Sequence, residues 1–296
     1  MASTHILVGT TGDDESTGPA VRRIGPADLF HALARGADDF SAMPSHAVFL
    51  CVVYPLLGIV LVGIMFGYAM LPLAFPVAAG FALVGPLAAI GLYELSRRRE
   101  AGLDCSSSHA LDVLHSPSLG AVVALGLLLM AIFLAWLAVA QAIYIAFFGY
   151  SPPTSIGSFV HDVFATRAGF YLIVVGTSVG FLFALAVLTT SVVSFPLLLD
   201  RDVGAAVALL TSVRVVVANP ATMALWGLIV AVLLAIGSLP FFLGLTVVVP
   251  VLGHATWHLY RRAVVPDPNP HPDYRPRAKP PRYAADFPAA LFPTRR

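Results

Sequence analysis

Long apolar stretches dominate this sequence and restrict the folds open to it. Five stretches contain no Asp, Glu, Lys or Arg, and each is at least about as long as the ~20 residues that a helix needs to cross a bilayer. They cover residues 47–70, 73–93, 119–149, 168–199 and 220–260. The chain is 58% hydrophobic and 11% charged, whereas soluble proteins are about 25% charged. The pattern predicts an all-α polytopic membrane helix bundle.

The last stretch, 220–260, is too long for a single crossing. At ~1.5 Å per residue one helix would measure about 60 Å, twice the ~30 Å hydrocarbon layer. Ser238 is a residue type that caps helices, and Pro240 is suited to a first helical turn. We therefore predict two helices in this stretch, and six transmembrane helices in all, arranged as three hairpins.

The basic residues support this topology, because Lys and Arg near span ends stay in the cytoplasm. Six spans with a cytoplasmic N-terminus place 16 of the 17 Lys and Arg residues inside and leave only Arg167 outside. Arg outnumbers Lys by 16 to 1, which is typical of a GC-rich bacterial gene. We expect a multi-pass protein of the bacterial inner (plasma) membrane with both termini in the cytoplasm.

Three cytoplasmic segments share a pattern, a short amphipathic stretch followed by a proline and a span. Their prolines are Pro44, Pro117 and Pro220. In the first segment one helical face carries Leu29, Leu33, Ala37 and Phe40. Asp38 and Asp39 lie off that face, so we predict a short helix in the membrane interface. Whether the three segments are true internal repeats stays open.

The two ends of the chain differ in composition from the membrane domain. Residues 1–21 are rich in Gly, Ser, Thr and Asp and predict a disordered leader. Residues 22–264 form the six-span membrane domain, and 265–296 form a Pro-rich tail that we expect to be disordered. The partners expected are the lipid bilayer, anionic lipid through the basic tail, and other membrane proteins. A net charge of +1 does not indicate a nucleic-acid partner.

The polar residues give little support to catalysis or ion transport. The spans contain no carboxylate, Lys or Arg, which argues against a proton pump or an ion-coupled carrier. The HExxH motif and a glycine-rich phosphate loop are absent, so we expect no enzymatic activity. The densest polar cluster is Asp200, Arg201 and Asp202, interpreted as a charged cytoplasmic junction after the fourth span, with a catalytic cluster as the alternative.

One polar contact inside the membrane is predicted from depth. Gln141 lies about eight residues from the outer end of its span, and Thr177 about nine from the outer end of the next. Antiparallel neighbours would place them at the same level. We predict a hydrogen bond from Gln141 to Thr177 or Ser178, worth ~0.6 kcal/mol.

Two histidines four residues apart raise the question of a metal or haem site. His254 and His258 share a helical face near the end of the last span. A metal needs at least a third ligand, and His46, which opens the first span, is the candidate. The alternative is that these are interface or packing histidines beside Trp257 and the arginine pair that follows.

The strings "LLDRDV" and "LGHATWHLYRR", with "RRIGPADLFHALARGADDFSAMPSHAVF" near the start, carry a resemblance to a known family. The chain resembles, over residues 22–264, an uncharacterised family of predicted bacterial integral membrane proteins. Some members are labelled as a cytochrome c oxidase subunit. The resemblance implies a multi-span inner-membrane protein, whereas the oxidase label would require further histidine or cysteine ligands that this sequence lacks.

These observations favour a non-enzymatic structural or accessory protein, or an assembly partner of membrane complexes. One alternative is a small-molecule or lipid permease that uses a cavity at proline-kinked helices. The other is a haem- or metal-binding protein accessory to a respiratory oxidase, with a haem or a transition metal at His46, His254 and His258.

Overall fold

The computed structural model describes residues 18–43, 71–239 and 243–267. This part of the chain consists of helices and connecting turns. Three short 3-10 helices cover Leu71–Leu73, Ala82–Val84 and Ser107–His115. The α-helices are α1 (Pro26–Ala42), α2 (Ala74–Phe81), α3 (Gly85–Ala88), α4 (Ile90–Glu100), α5 (Leu119–Phe148), α6 (Ile156–Ala165), α7 (Arg167–Ser191), α8 (Ser194–Asp200), α9 (Gly204–Ala218), α10 (Pro220–Ser238) and α11 (Leu245–Ala263).

Three apolar helical stretches of the described chain are long enough to cross a membrane. They are α5, the stretch Arg167–Asp200 formed by α7 and α8, and α10. These correspond to the third, fourth and fifth predicted spans. The predicted break in 220–260 is also present, since α10 ends at Ser238 and α11 begins at Leu245. The structure thus confirms an all-helical protein with three candidate spans, and it does not confirm six.

The other three predicted spans differ in their outcome. The first, 47–70, lies outside the described residues. The second, 73–93, is not one helix but a series of short ones. Pro86 in α3 has no backbone N–H and cannot donate the hydrogen bond that a continuous helix needs at this position. The sixth corresponds to α11, which has 19 residues. Its second half carries His254, His258 and two arginines, so its composition is less apolar than that of the three candidate spans.

The ends of the long helices meet at one end of the bundle. Ser118, just before α5, donates from its hydroxyl to Asp202 after α8, at 3.5 Å. The Tyr260 hydroxyl near the end of α11 donates to Asp200 at 2.5 Å. Helix α10 begins close by, because the preceding Asn219 contacts the segment that pairs with the end of α11. Consecutive long helices therefore run in alternating directions, as hairpins require.

Helix α1 packs along α11, and its buried face differs from the predicted one. The close approach is at Gly36, where a Cβ atom would lie 2.6 Å from the backbone nitrogen of Ala255. The predicted face of Leu29, Leu33, Ala37 and Phe40 is wrong in part, since Ala37 is exposed. The buried residues of α1 are Leu29, Ala32, Gly36 and Asp39. A face that includes glycine lets the two helices approach closely, and it brings Asp39 inside.

The N-terminal segment, residues 18–25, is held by the same end of the bundle. Val21 forms an antiparallel bridge with Val264. The Asn219 side chain accepts from Ile24 N at 2.8 Å and donates to Arg22 O at 3.0 Å. One asparagine therefore ties this segment to the start of α10. Residues 1–17 and 268–296, which contain most of the predicted leader and tail, lie outside the described residues.

Candidate functional site

A buried polar cluster joins three helices that are distant in sequence, α1, α4 and α11. We define the buried polar cluster as Asp39, Ser96, Arg99, His254 and His258. Asp39 lies on the face of α1 that packs against α11, one turn beyond Gly36. Ser96 and Arg99 lie on α4, and the two histidines lie one turn apart on α11.

Asp39 is the centre of the cluster. Its Oδ2 accepts from the Ser96 hydroxyl at 2.6 Å and from His258 Nε2 at 2.8 Å. Its Oδ1 accepts from the Arg99 guanidinium. Asp39 is 2% exposed, so these three donors replace water around its carboxylate. Because the donors come from two helices, Asp39 fixes α1 to α4 and α11 at once.

The protonation state of the cluster follows from these contacts. Burial acts to raise the pKa of Asp39, but the hydrogen bonds from His258 and Ser96 outweigh it and lower the pKa to about 2. Asp39 is therefore an ionised acceptor at neutral pH, and the single proton of the Ser96 hydroxyl goes to it. His254 Nδ1 lies 2.7 Å from the same hydroxyl oxygen. That nitrogen must then be the donor, which places a proton on Nδ1 of His254.

The cluster contains the residue types of a serine–histidine–aspartate triad but not its arrangement. In such a triad the histidine takes the serine proton and the aspartate orients the histidine. Here Ser96 donates directly to the Asp39 carboxylate and accepts from His254, so no imidazole is placed to take the serine proton. Ser96 is also 1% exposed. The geometry supports a structural hydrogen-bond network and not an activated nucleophile.

A second ionic group lies on the other side of α4. Arg97 binds the buried Glu94 with two hydrogen bonds, at 2.8 and 2.7 Å. Burial raises the pKa of Glu94 even though Arg97 acts to lower it. Arg98 contacts Asp112 at 3.4 Å, and His109 Nδ1 lies 2.6 Å from the same Asp112 carboxylate. These contacts attach the 3-10 helix Ser107–His115 to α4.

The predicted charged junction at Asp200, Arg201 and Asp202 is part of a larger contact region. Asp200 accepts from the Tyr260 hydroxyl, and Arg201 donates to the Val265 carbonyl. Arg261 Nε donates to Glu100 at 2.9 Å, and the Trp257 indole donates to the other oxygen of that carboxylate at 2.8 Å. The sequence located the three charged residues, and the structure adds Tyr260 and Arg261 of α11 as partners of Asp200.

The histidines proposed as metal ligands are brought into the buried polar cluster. His258 Nε2 and His254 Nδ1 are each used in a hydrogen bond to a protein side chain. His254 Nε2 is buried and has no hydrogen-bond partner among the described residues. His46 lies outside the described residues. Within the described ranges, no group of three or more His, Cys, Asp or Glu residues is arranged to hold a metal ion.

The predicted intramembrane contact is placed on two neighbouring helices, α5 and α7. Gln141 is half-buried on α5, whereas Thr177 and Ser178 lie on the exposed face of α7. The Ser178 hydroxyl donates to the Val174 carbonyl of its own helix at 2.8 Å. The two helices instead meet at Trp136, whose ring lies 3.0 Å from the position of a Cβ on Gly180. The structure therefore pairs the helices without joining the three polar side chains.

A comparison with known families agrees with these observations. Residues 74–200 match the model of a family described as "Predicted integral membrane protein (DUF2189)". The chain is similar to this family over that segment, which confirms the resemblance expected from the sequence. The description carries no oxidase label, and the buried polar cluster extends beyond the matched segment. Neither the curated proteins nor the solved structures give a match. The match and the three candidate spans together indicate an integral membrane protein.

Three members of the buried polar cluster, Asp39, Ser96 and Arg99, were not among the predicted site residues. Asp39 shares a helical face with Leu29, Ala32 and Gly36, but a face that mixes glycine and aspartate with apolar residues does not stand out in the sequence. Ser96 stands beside three arginines and offers no comparable pattern. Its role depends on α1 and α11, which are distant in sequence.

Proposed function

We propose that the protein is a non-enzymatic accessory or assembly partner of other membrane proteins, which it contacts within the bilayer through α7. The observation that carries the proposal is the exposure of this helix. In the most apolar part of the stretch Arg167–Asp200, only 6% is buried inside the protein. The buried polar side chains, in contrast, are used to hold the protein's own helices together.

The exposed face of α7 has the features of a helix-packing surface. A Cβ on Gly176 would meet nothing within 4 Å, and Thr177 and Ser178 next to it are exposed. Small residues let helix backbones approach closely in a membrane, and hydroxyl groups form interhelical hydrogen bonds there. Phe181 and Leu182, one turn further, are 63% and 61% exposed and supply apolar area. These residues support a partner helix at this position.

Site-specific photo-crosslinking in native membranes tests this proposal. A benzophenone side chain is placed at Thr177 or at Phe181 on α7, and at Leu127 on α5 as the control. Leu127 is 66% exposed, so it matches Phe181 in exposure. We expect discrete protein adducts from the two α7 positions and only lipid adducts from Leu127. An absence of protein adducts from α7, or equal adducts from all three positions, would refute the proposal.

We also propose that this protein resides in the bacterial inner membrane with both termini in the cytoplasm. The support is the clustering of arginines at one end of the bundle. Arg22 lies beside Ala263, Arg201 contacts Val265, and Arg261 contacts Glu100. Arg167 begins α7 at the other end. By the positive-inside rule the arginine-rich end is the cytoplasmic one, and reporter fusions to each terminus test this orientation.

A further inference from the structure

The arginines at this end of the bundle divide into two groups. Those on α4 and α11 have carboxylate partners, such as Arg97 with Glu94 and Arg261 with Glu100. Arg22, Arg23 and Arg214 differ, because none of the described carboxylates pairs with them. We call these three residues the arginine patch. Cations without a carboxylate partner among the described residues are candidates for binding an external anion.

The arginine patch lies where the N-terminal segment runs along α9. A Cβ on Gly18 would lie 3.5 Å from Nη1 of Arg214. Further along the segment, the Arg22 carbonyl accepts from Asn219 at 3.0 Å. Asn219 directly precedes α10, which is one of the candidate spans. The backbone of Arg22 therefore lies at the level where a helix enters the membrane, with Arg23 next in the chain and Arg214 beside the start of the same segment.

Exposed apolar side chains flank Arg214 on the same face of α9. Leu210 and Val217, four residues before and three after it, are 50% and 72% exposed. Spacings of three and four residues place all three on one helical face. An arginine between exposed apolar residues suits the boundary of a bilayer, where the guanidinium reaches the headgroups and the apolar neighbours contact acyl chains. A soluble anion would leave that apolar area uncovered.

We propose that the arginine patch binds the phosphate of an anionic phospholipid, whose acyl chains lie against Leu210 and Val217. The guanidinium group matches this ligand, because it is always charged and binds phosphate oxygens with two parallel hydrogen bonds. This surface is distinct from the basic tail, which lies outside the described residues. Each arginine near the membrane surface contributes about a fivefold gain in affinity for anionic lipid.

The test measures lipid binding to the purified full chain in detergent by native mass spectrometry. Phosphatidylglycerol is the anionic probe and phosphatidylcholine is the neutral reference. Arg23→Gln/Arg214→Gln removes two exposed patch cations, and Arg35→Gln/Arg167→Gln removes two exposed cations elsewhere, so the pairs are matched in charge. We expect selectivity for phosphatidylglycerol to fall roughly 25-fold in the first pair and less than about twofold in the second.

The controls separate this site from general attraction and from unfolding. Thermal unfolding of the Arg23→Gln/Arg214→Gln variant should match that of the wild type, because both side chains are exposed. Inorganic phosphate in excess should not displace the lipid, since the acyl chains contribute to binding. Equal losses in the two variant pairs, no selectivity in the wild type, or displacement by inorganic phosphate would each overturn the proposal.

Discussion

Replacing Asp39 by Asn tests whether the buried polar cluster holds α1 against α4 and α11. The substitution keeps the size of the side chain and removes its charge. The carboxylate accepts from Ser96, His258 and Arg99 and is 2% exposed. The asparagine amide has one acceptor oxygen where the carboxylate has two. Its NH₂ group is itself a donor and would face donor groups of the neighbouring side chains.

The expected loss of stability is about 1–3 kcal/mol, the usual cost of leaving a buried donor without its acceptor. The loss is not larger because the side chain of the charged partner, Arg99, is 40% exposed and can bind water instead. The assay is unfolding of the full chain by SDS titration in mild detergent, followed by tryptophan fluorescence. Trp257 lies on α11 close to the cluster and is 1% exposed, so its emission reports on this region.

Asp38→Asn is the matched control. It makes the same chemical change one residue earlier on the exposed face of α1, so its effect should stay within about 0.5 kcal/mol. A double-mutant cycle with Ser96→Ala should give a coupling energy of about 0.5–3 kcal/mol between the two residues. If Asp39→Asn and Asp38→Asn unfold alike, Asp39 does not hold the helices together and the reasoning fails.

Three further predictions concern the same end of the bundle. Gly36→Leu should separate α1 from α11, because even a Cβ atom at this position would lie 2.6 Å from Ala255 N. Cysteine cross-linking between the two helices measures the separation. Gly85→Leu is the control and should have no effect, because a Cβ there would meet nothing within 4 Å. Asn219→Ala should speed proteolysis of the N-terminal segment, because it removes hydrogen bonds to two of its residues; an unchanged cleavage rate would argue against the clamp. The pKa of Asp39 is lowered from 3.8 to about 2 in the folded protein. The ionised carboxylate therefore stabilises the folded state by about 2 kcal/mol above pH ~4, and this stabilisation is lost as the pH falls toward 2. The difference in unfolding free energy between the wild type and Asp39→Asn should narrow over that range.

The parts of the fold that depend on local sequence could be predicted. Helices α5, α7 and α10 follow from long apolar stretches, and a break in 220–260 follows from the length of that stretch. Such signals lie within a few residues of the feature that they determine. The predicted cap is wrong, because Ser238 ends α10 with its hydroxyl bonded to the Leu234 carbonyl, and α11 begins only at Leu245. The second predicted span shows the limit of this approach, because hydropathy alone does not report the breaks that the structure places around Pro86.

The buried face of α1 could not be predicted from its amphipathic pattern. That pattern assigns aspartate to water, and it therefore placed Asp39 on the outer surface. The donors that make burial of Asp39 favourable are Ser96 and His258, which lie 57 and 219 positions away in the sequence. A carboxylate is buried only where such partners exist, so the correct face depends on tertiary contacts that a single helix does not reveal.

The two histidines of α11 also show that a local pattern does not reveal tertiary contacts. The spacing of four residues correctly indicates that His254 and His258 share a face, but it does not indicate what covers that face. In the structure α1 covers it through Asp39 and α4 covers it through Ser96, so each imidazole meets a different helix. A metal bound through Nε2 of His258 or Nδ1 of His254 would have to replace these hydrogen bonds. Metal binding and the close packing of α1 on α11 therefore exclude each other. Added metal should bind the Gly36→Leu variant, in which α1 is freed, and not the wild type.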